Sequence, residues 1–173
     1  MSERPAPTKR RALAMLERGR ATTDGLLARI PPRDVATTGL GGGAWSARDL
    51  IGHLASWEEY ALDAMRAGQR GDRAEIDRLW VTVSTAKLNA ANIDRKAAWP
   101  LAQLRRESSK THDELLAAIR ATSETAWRSP ATARARQPLG VRIGGILGGP
   151  RGPFRHDEAH HESLRSFLAE RGW

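Results

Sequence analysis

The apolar residues at positions 46–68 recur at intervals of three and four, which is the spacing of one face of an α-helix. Ser46 opens this segment and Asp49 follows three residues later, an acidic relative of the capping box that marks a helix N-terminus. No alternating stretch typical of a half-buried strand competes with this pattern along the chain. We therefore predict a helix from Ser46 to about Gly68, with a buried stripe formed by Leu50, Leu54, Trp57, Ala61 and Met65.

The same spacing predicts helices on either side of this segment. The first runs from about Thr8 to Ile30 and ends at Pro31-Pro32, because proline cannot continue a helix. A third stretch, which we interpret as an excursion between bundle helices, covers about Asp72 to Ala98. Two more helices are expected from Pro100 to about Trp127 and from near Pro153 to Gly172.

The segment from Ser129 to Pro153 breaks the helical pattern. It holds six glycines and several prolines around a few apolar residues, which is too interrupted for a long helix. We predict a structured Gly-rich loop here, with one short turn or strand, directly before the last helix. The whole pattern predicts an all-α fold, a four-helix bundle that forms a single domain over residues 1–173.

Cysteine is absent from the 173 residues. This excludes disulfides, thiolate nucleophiles and cysteine-type zinc sites, and leaves His, Asp and Glu as the strong metal ligands. No apolar run approaches the roughly 18 residues that span a bilayer, and the basic N-terminal residues are not followed by an apolar segment. We expect a cytoplasmic protein that does not interact with membranes.

The net charge of +8 raises the question of nucleic-acid binding. Of the 28 basic residues 24 are arginines, and they are scattered among carboxylates from Arg4 to Arg171. A scattered distribution is typical of solvated helix faces and provides no register for base readout. We therefore expect no specific nucleic-acid partner.

Two of the five histidines, His156 and His160, lie four residues apart in the last predicted helix. One helical turn, about 6 Å of rise, separates them, so that both rings can bind one ion at about 2.0–2.1 Å. His53 lies at the edge of the apolar stripe of the second helix. A lone histidine in such a position usually only packs, but these three together would give a three-nitrogen metal site with open positions for water or substrate.

Further residues extend this candidate site. Asp157 leans toward the presumed inner face of its helix and is our candidate for a catalytic role in proton transfer, or for a hydrogen bond to a metal ligand. Trp57 and Tyr60 follow His53 along its helix and are candidates to line a pocket, with core packing as the alternative. His112 is in register with the apolar residues of its helix and is either a pocket residue or a buried core histidine.

Two stretches resemble sequences of a known family. Residues 45–58, WSARDLIGHLASWE, resemble the second-helix signature of the DinB-like superfamily of metal-dependent proteins, and residues 154–160, FRHDEAH, resemble its last-helix His-x-x-x-His element. The chain length, the helix order and the segment THDELL at 111–116 are closest to the ClbS/DfsB branch of this superfamily.

The resemblance implies a DinB-type four-helix bundle, often a homodimer, in which His53, His156 and His160 bind a divalent metal ion such as zinc or nickel. Known activities in the superfamily include thiol transfer, a mycothiol-using isomerisation and, in the ClbS/DfsB branch, hydrolysis of a strained cyclopropane in a genotoxin. That branch is not uniformly metal-dependent, and the Gly-rich segment at 140–152 departs from a generic member.

Two functions from different classes follow. The first is a metal- or histidine-assisted hydrolase or transferase that acts on a small reactive molecule, in detoxification or self-resistance. The second is a non-catalytic resistance or stress protein that sequesters such a molecule in the same cleft. A nucleic-acid-binding module ranks third, because neither a recognition-helix motif nor a segregated basic face is evident.

Overall fold

A computed structural model describes residues 7–132, 135 and 137–173 of the chain. The described part is mostly helical. Its α-helices are α1 (Lys9–Leu27), α2 (Ala47–Arg70), α3 (Glu75–Thr82), α4 (Thr85–Lys96), α5 (Leu101–Ala121), α6 (Glu124–Arg128), α7 (Leu139–Ile146) and α8 (His156–Ala169). A 3-10 turn (Pro32–Asp34) and a two-stranded antiparallel hairpin of β1 (Thr38–Leu40) and β2 (Trp45–Ser46) connect α1 to α2.

The four long helices α1, α2, α5 and α8 form a bundle in which α2 packs along α5 and α1 packs along α8. The short helices α3, α4 and α7 pack against α2. This arrangement confirms the predicted all-α bundle. No helix in the described ranges is both long enough and apolar enough to cross a membrane.

The cap predicted at the start of α2 is present. The Ser46 hydroxyl accepts a hydrogen bond from the Asp49 backbone N–H (3.2 Å), and the Asp49 carboxylate accepts one from the Ser46 backbone N–H (2.8 Å). At the other end the helix continues to Arg70, past the predicted Gly68, and stops at Gly71, whose φ of 75° is favourable for glycine. These two residues fix the length of α2.

Two predicted helices are each divided by a serine. Ser84 caps α4 by accepting from the Lys87 backbone N–H, so that the stretch 72–98 forms α3 and α4 in place of one helix. Ser123 caps α6 by accepting from the Ala126 backbone N–H, which ends α5 at Ala121. In both cases a side-chain hydroxyl satisfies backbone donors and starts a new helix.

The Gly-rich segment differs from the predicted loop, because residues 139–146 form α7. A Cβ at Gly140 would lie 2.4 Å from the Trp127 ring, and one at Gly144 would lie 2.7 Å from the Phe154 ring. Glycine is therefore required for close packing of α7 against these rings. The packing offsets the poor helix propensity of glycine. Positions 133, 134 and 136 of the predicted loop lie outside the described residues.

The helices at the two ends of the chain are shorter than predicted. α1 ends at Leu27, not Ile30, and is followed by the 3-10 turn. α8 begins at His156, not Pro153, because Phe154 adopts a left-handed conformation with a φ of 58°. The His156 backbone N–H donates to the Leu147 carbonyl (3.1 Å), which ties the start of α8 to the end of α7.

The core of the bundle consists of two apolar clusters with polar residues between them. On α2 the first cluster includes Leu50 and Leu54, and the second includes Ala61 and Met65. Between the clusters the four long helices carry buried polar residues, which we call the polar layer. They are Arg20, Thr23, His53, Glu58, Ser108, His112, Asp157 and His161, and the partly buried His156 and His160 lie beside them. Burial of so many polar groups is costly unless they are paired, so this layer is where a functional site is expected.

Candidate metal centre

The three histidines predicted to share an ion lie at one edge of the polar layer. His53 is in the second turn of α2, and His156 and His160 are in the first two turns of α8. The capping box of α2 and the backbone bond from His156 to Leu147 fix the phase of the two helices. The rings consequently face one another across the α2–α8 contact.

Their ring nitrogens converge. One ligand nitrogen from each of His53, His156 and His160 lies within 4.8 Å of the others. The Nε2 atoms of His53 and His156 are 2.8 Å apart, and the ring of His160 lies 5.1 and 5.3 Å from those of His53 and His156, centroid to centroid. This group of three histidines, called the triad below, could hold a metal ion.

The electrostatic environment keeps the triad neutral. Burial is the main cause that lowers the pKa of His53 to about 2 and that of His156 to about 3, and the charge that neighbouring histidines would carry contributes to both shifts. Burial also lowers the pKa of His160. At neutral pH all three imidazoles therefore have a lone pair for a metal ion, which is the form in which histidine acts as a ligand.

Aromatic packing surrounds the side of the His53 ring that does not face His156. Its Nδ1 atom is buried and has no hydrogen-bond partner in the described part of the chain. The ring instead contacts Trp45 at 4.7 Å and Trp57 at 6.4 Å between centroids. The β1–β2 hairpin provides Trp45 and places it over the triad, where it also stacks on His160 at 6.3 Å.

A cleft of about 310 Å³ opens beside the triad. Trp45, Trp57 and Trp80 form much of its wall, Thr85 and Asn89 of α4 add polar groups, and Gly145, Ile146 and Gly148 form the side made by α7 and the residues after it. No charged side chain of the described residues lines the cleft. The cleft has the volume and the mixture of apolar and polar groups that are typical of small-molecule sites.

Comparison with known proteins identifies the family. Residues 15–148 match the sequence model of the DinB superfamily, which is more than half of the chain. The chain belongs to the DinB superfamily. Membership of the ClbS/DfsB branch stays a prediction, and no curated protein matches the chain.

Solved structures share the DinB-type fold of this chain. An uncharacterised protein from Escherichia coli UTI89 aligns with a TM-score of 0.78 and 15% identity, over 96% of each chain. A mycothiol-dependent maleylpyruvate isomerase aligns over 90% of this chain with a TM-score of 0.67 and 20% identity. This DinB chain spans 60% of the length of that isomerase. At these identities the likeness shows a common fold.

The predicted catalytic residue of this DinB protein does not line the cleft. Asp157 directly follows His156 and is rotated about 100° from it around α8, so that its carboxylate faces α1. There it accepts hydrogen bonds from Arg20 Nε (3.2 Å) and Thr23 Oγ1 (2.8 Å). Its negative charge still raises the pKa of His156 and His160, against the larger effect of burial.

Of the three predicted pocket residues, Trp57 lines the cleft and the other two do not. The Tyr60 hydroxyl donates to Asn92 of α4 (3.0 Å), behind the cleft wall. His112 of α5 faces the bundle interior, where its Nδ1 atom lies 2.7 Å from Glu58 Oε1.

Arg20 is the centre of the polar layer and was not predicted. It pairs with Glu58 at 3.0 Å and with Asp157 at 3.2 Å, and it donates to the Ser108 hydroxyl at 3.1 Å. Burial lowers its pKa, but the two carboxylates outweigh this effect and raise it overall. The sequence does indicate that Arg20 is buried, because Arg20 follows Leu16 by one turn on the apolar face of α1.

Proposed function

We propose that this DinB protein is a metal-dependent enzyme that modifies a small reactive molecule, with zinc or nickel held by His53, His156 and His160. The observation that supports this proposal most strongly is the convergence of three neutral imidazoles beside an uncharged cleft of about 310 Å³. Helix packing alone does not explain three histidines at one point, because each buried ring nitrogen has lost its hydrogen bonds to water and needs another partner.

The ligand set favours borderline metals. Three neutral imidazoles carry no negative charge, whereas magnesium and calcium prefer several oxygen ligands. Three protein ligands also leave at least one coordination position for water or substrate. A divalent ion here would lower the pKa of a coordinated water to about 7, or would activate a thiol.

The chain's own residues have limited roles in this chemistry. The triad binds the ion, the tryptophans exclude water from one side of it, and Asn89 and Thr85 are available as hydrogen-bonding groups for a substrate. Among the described residues no carboxylate lines the cleft, so proton transfer in this proposal relies on solvent or on the substrate itself. Both hydrolysis and thiol transfer are compatible with this set, and the similar fold of the mycothiol-dependent isomerase favours a thiol-dependent reaction.

Sequestration without catalysis is the second candidate. It is favoured by the same absence of carboxylate and lysine side chains from the described cleft lining, because such a cleft can bind a molecule without a general acid or base. In this case the triad would contribute only to binding.

Metal-dependent stability tests the proposal. The metal-free protein is melted alone and with zinc, nickel or magnesium, beside His53→Ala and His160→Ala. Because an ion that binds only the folded state stabilises it, the wild type should melt at a higher temperature with zinc or nickel than without, and both variants should lose this increment. Elemental analysis of the isolated protein should give one metal per chain.

His161→Gln is the matched control. His161 is next to His160 in sequence, but its ring lies against Thr23 and the Gly19 carbonyl and not in the triad. This variant should start from a lower melting temperature and keep the full increment with zinc. Equal melting of the wild type with and without each metal would reject the metal-dependent enzyme in favour of sequestration.

A further inference from the structure

The wall of the cleft that adjoins the triad is aromatic, and its outer end is open to solvent. Trp57 and Trp80 contact each other with ring centroids 6.1 Å apart and planes inclined by 36°, and Trp57 also contacts His156 at 5.9 Å. Trp57 is buried, whereas 43% of Trp80 is exposed. Trp57 thus lies next to the triad, and Trp80 lies at the mouth of the cleft.

Exposure of Trp80 is unusual in this molecule. Among the described residues, the well-exposed large hydrophobic side chains are Trp80 and its neighbour Val81, both on α3. Exposure of a tryptophan ring to water is unfavourable, because the ring has a large apolar area. Because Trp80 continues the cleft wall that Trp57 forms, its exposed face is available to a ligand that enters the cleft.

The charge of the cleft restricts the part of a ligand that lies on the tryptophans. The chain has a net charge of +8, yet the described lining contains no arginine or lysine. An anionic group on the tryptophan side of the cleft would lose its hydration without gaining a paired charge, which is costly. The part of a ligand that lies there is therefore uncharged, whereas an ion bound to the triad would pair with an anionic group next to it.

The polar groups in the lining are few. The Asn89 amide oxygen accepts a hydrogen bond from Trp57 Nε1 (3.0 Å), which leaves the Asn89 NH₂ group as a donor. Thr85 adds one hydroxyl on the same face of α4. The lining can therefore orient one or two polar atoms of an otherwise apolar molecule.

We propose that the cleft takes a small molecule whose flat, uncharged and mainly apolar part lies against Trp80 and Trp57, with its reactive group toward the triad. This inference rests on the proposed function, since it names the substrate class of the same site. The cleft volume of about 310 Å³ limits such a molecule to about the size of a two-ring aromatic. Trp80 is the residue that determines specificity.

Calorimetric titration of the metal-free protein with two matched probes tests the proposal. The probes are 2-naphthol, which is neutral near pH 7, and 2-naphthoate, which has the same ring system with a negative charge. We expect 2-naphthol to bind at least tenfold more tightly than 2-naphthoate. Equal binding of the two, or tighter binding of 2-naphthoate, would overturn the proposal.

Variants then locate the binding surface. Trp80→Ala should weaken 2-naphthol binding at least tenfold, and Trp80→Phe should restore most of it. Gly145→Leu should also weaken it, because Gly145 lines the cleft and an added Cβ there meets no atom within 4 Å, so that a larger side chain fits without a clash. Trp173→Ala, which removes a tryptophan packed on Phe167 outside the cleft, should leave binding unchanged.

The two proposals fail in different ways. Zinc binding and 2-naphthol binding are measured separately, since stacking on the tryptophans does not need the ion. If zinc binds but Trp80→Ala binds 2-naphthol as the wild type does, the substrate class is wrong and the metal site stands. If 2-naphthol binds as expected but zinc does not, the aromatic cleft stands and the metal-dependent reaction is wrong.

Discussion

At the scale of single residues, the triad combines burial with neutrality. Each of its imidazoles would have an ordinary pKa near 6.5 in the unfolded chain, but the folded values are about 2 for His53 and about 3 for His156. The Nδ1 atom of His53 has no hydrogen-bond partner among the described residues, and burial disfavours the protonated ring. The folded state therefore binds fewer protons than the unfolded state over a wide range of acidic pH.

This difference predicts how stability changes with pH. As pH falls below about 6.5, the unfolded chain takes up protons at His53 and His156 while the folded chain does not, so the free energy of unfolding must fall. The slope is at most about 1.4 kcal/mol per pH unit for each histidine. The free energy of unfolding of the metal-free protein is measured in urea between pH 7 and pH 4.5. Its dependence on pH should be weaker in His53→Asn than in the wild type, by the equivalent of about one proton taken up on unfolding. Identical slopes for the variant and the wild type would show that His53 is not buried as a neutral ring.

At the scale of elements, caps and apolar spacing were sufficient to predict the long helices, and tertiary packing decided the rest. Ser46 and Asp49 define the start of α2 locally, and the spacing of His156 and His160 places both on one side of α8. The position of Asp157 was harder to predict, because its carboxylate faces the buried Arg20 of α1, which is distant in sequence. The sequence around α7 did not indicate a helix, since its stability comes from contacts with Trp127 and Phe154.

Two glycines of α7 provide a matched pair for testing this explanation. Gly140→Ala would place a Cβ at 2.4 Å from the Trp127 ring, which is itself fully buried, so we expect a loss of about 1–3 kcal/mol in the free energy of unfolding. Gly145→Ala meets no atom within 4 Å and improves helix propensity, so it should be neutral or stabilising by up to about 1 kcal/mol. Chemical denaturation of both variants measures the difference, and equal effects would mean that α7 is not packed on Trp127.

At the scale of the whole molecule, a polar layer that crosses all four long helices separates two apolar clusters. Arg20 of α1 pairs with both Glu58 of α2 and Asp157 of α8, and Glu58 in turn contacts His112 of α5. This layer holds the helices in register beneath the triad. A homodimer and weak, salt-sensitive attraction to nucleic acid stay predictions from the sequence.

Removal of Arg20 should therefore destabilise the whole bundle. Arg20→Met leaves two buried carboxylates without a charged partner, and we expect a loss of about 3–5 kcal/mol in the free energy of unfolding. Arg66→Met, which breaks the exposed pair with Glu114, should cost less than about 1 kcal/mol. Urea unfolding at neutral pH compares the two, and a loss below about 1 kcal/mol for Arg20→Met would show that the layer does not hold the helices together.

The central claim is that His53, His156 and His160 together bind one metal ion. X-ray absorption at the zinc edge of the zinc-loaded protein tests it most directly, because the spectrum reports the number and distance of imidazole ligands. We predict three imidazole nitrogens at about 2.0–2.1 Å in the wild type. His160→Ala should have fewer imidazole ligands or no bound zinc, and His161→Gln should match the wild type. A wild-type spectrum with fewer than three imidazoles, or one that His160→Ala leaves unchanged, would contradict the claim.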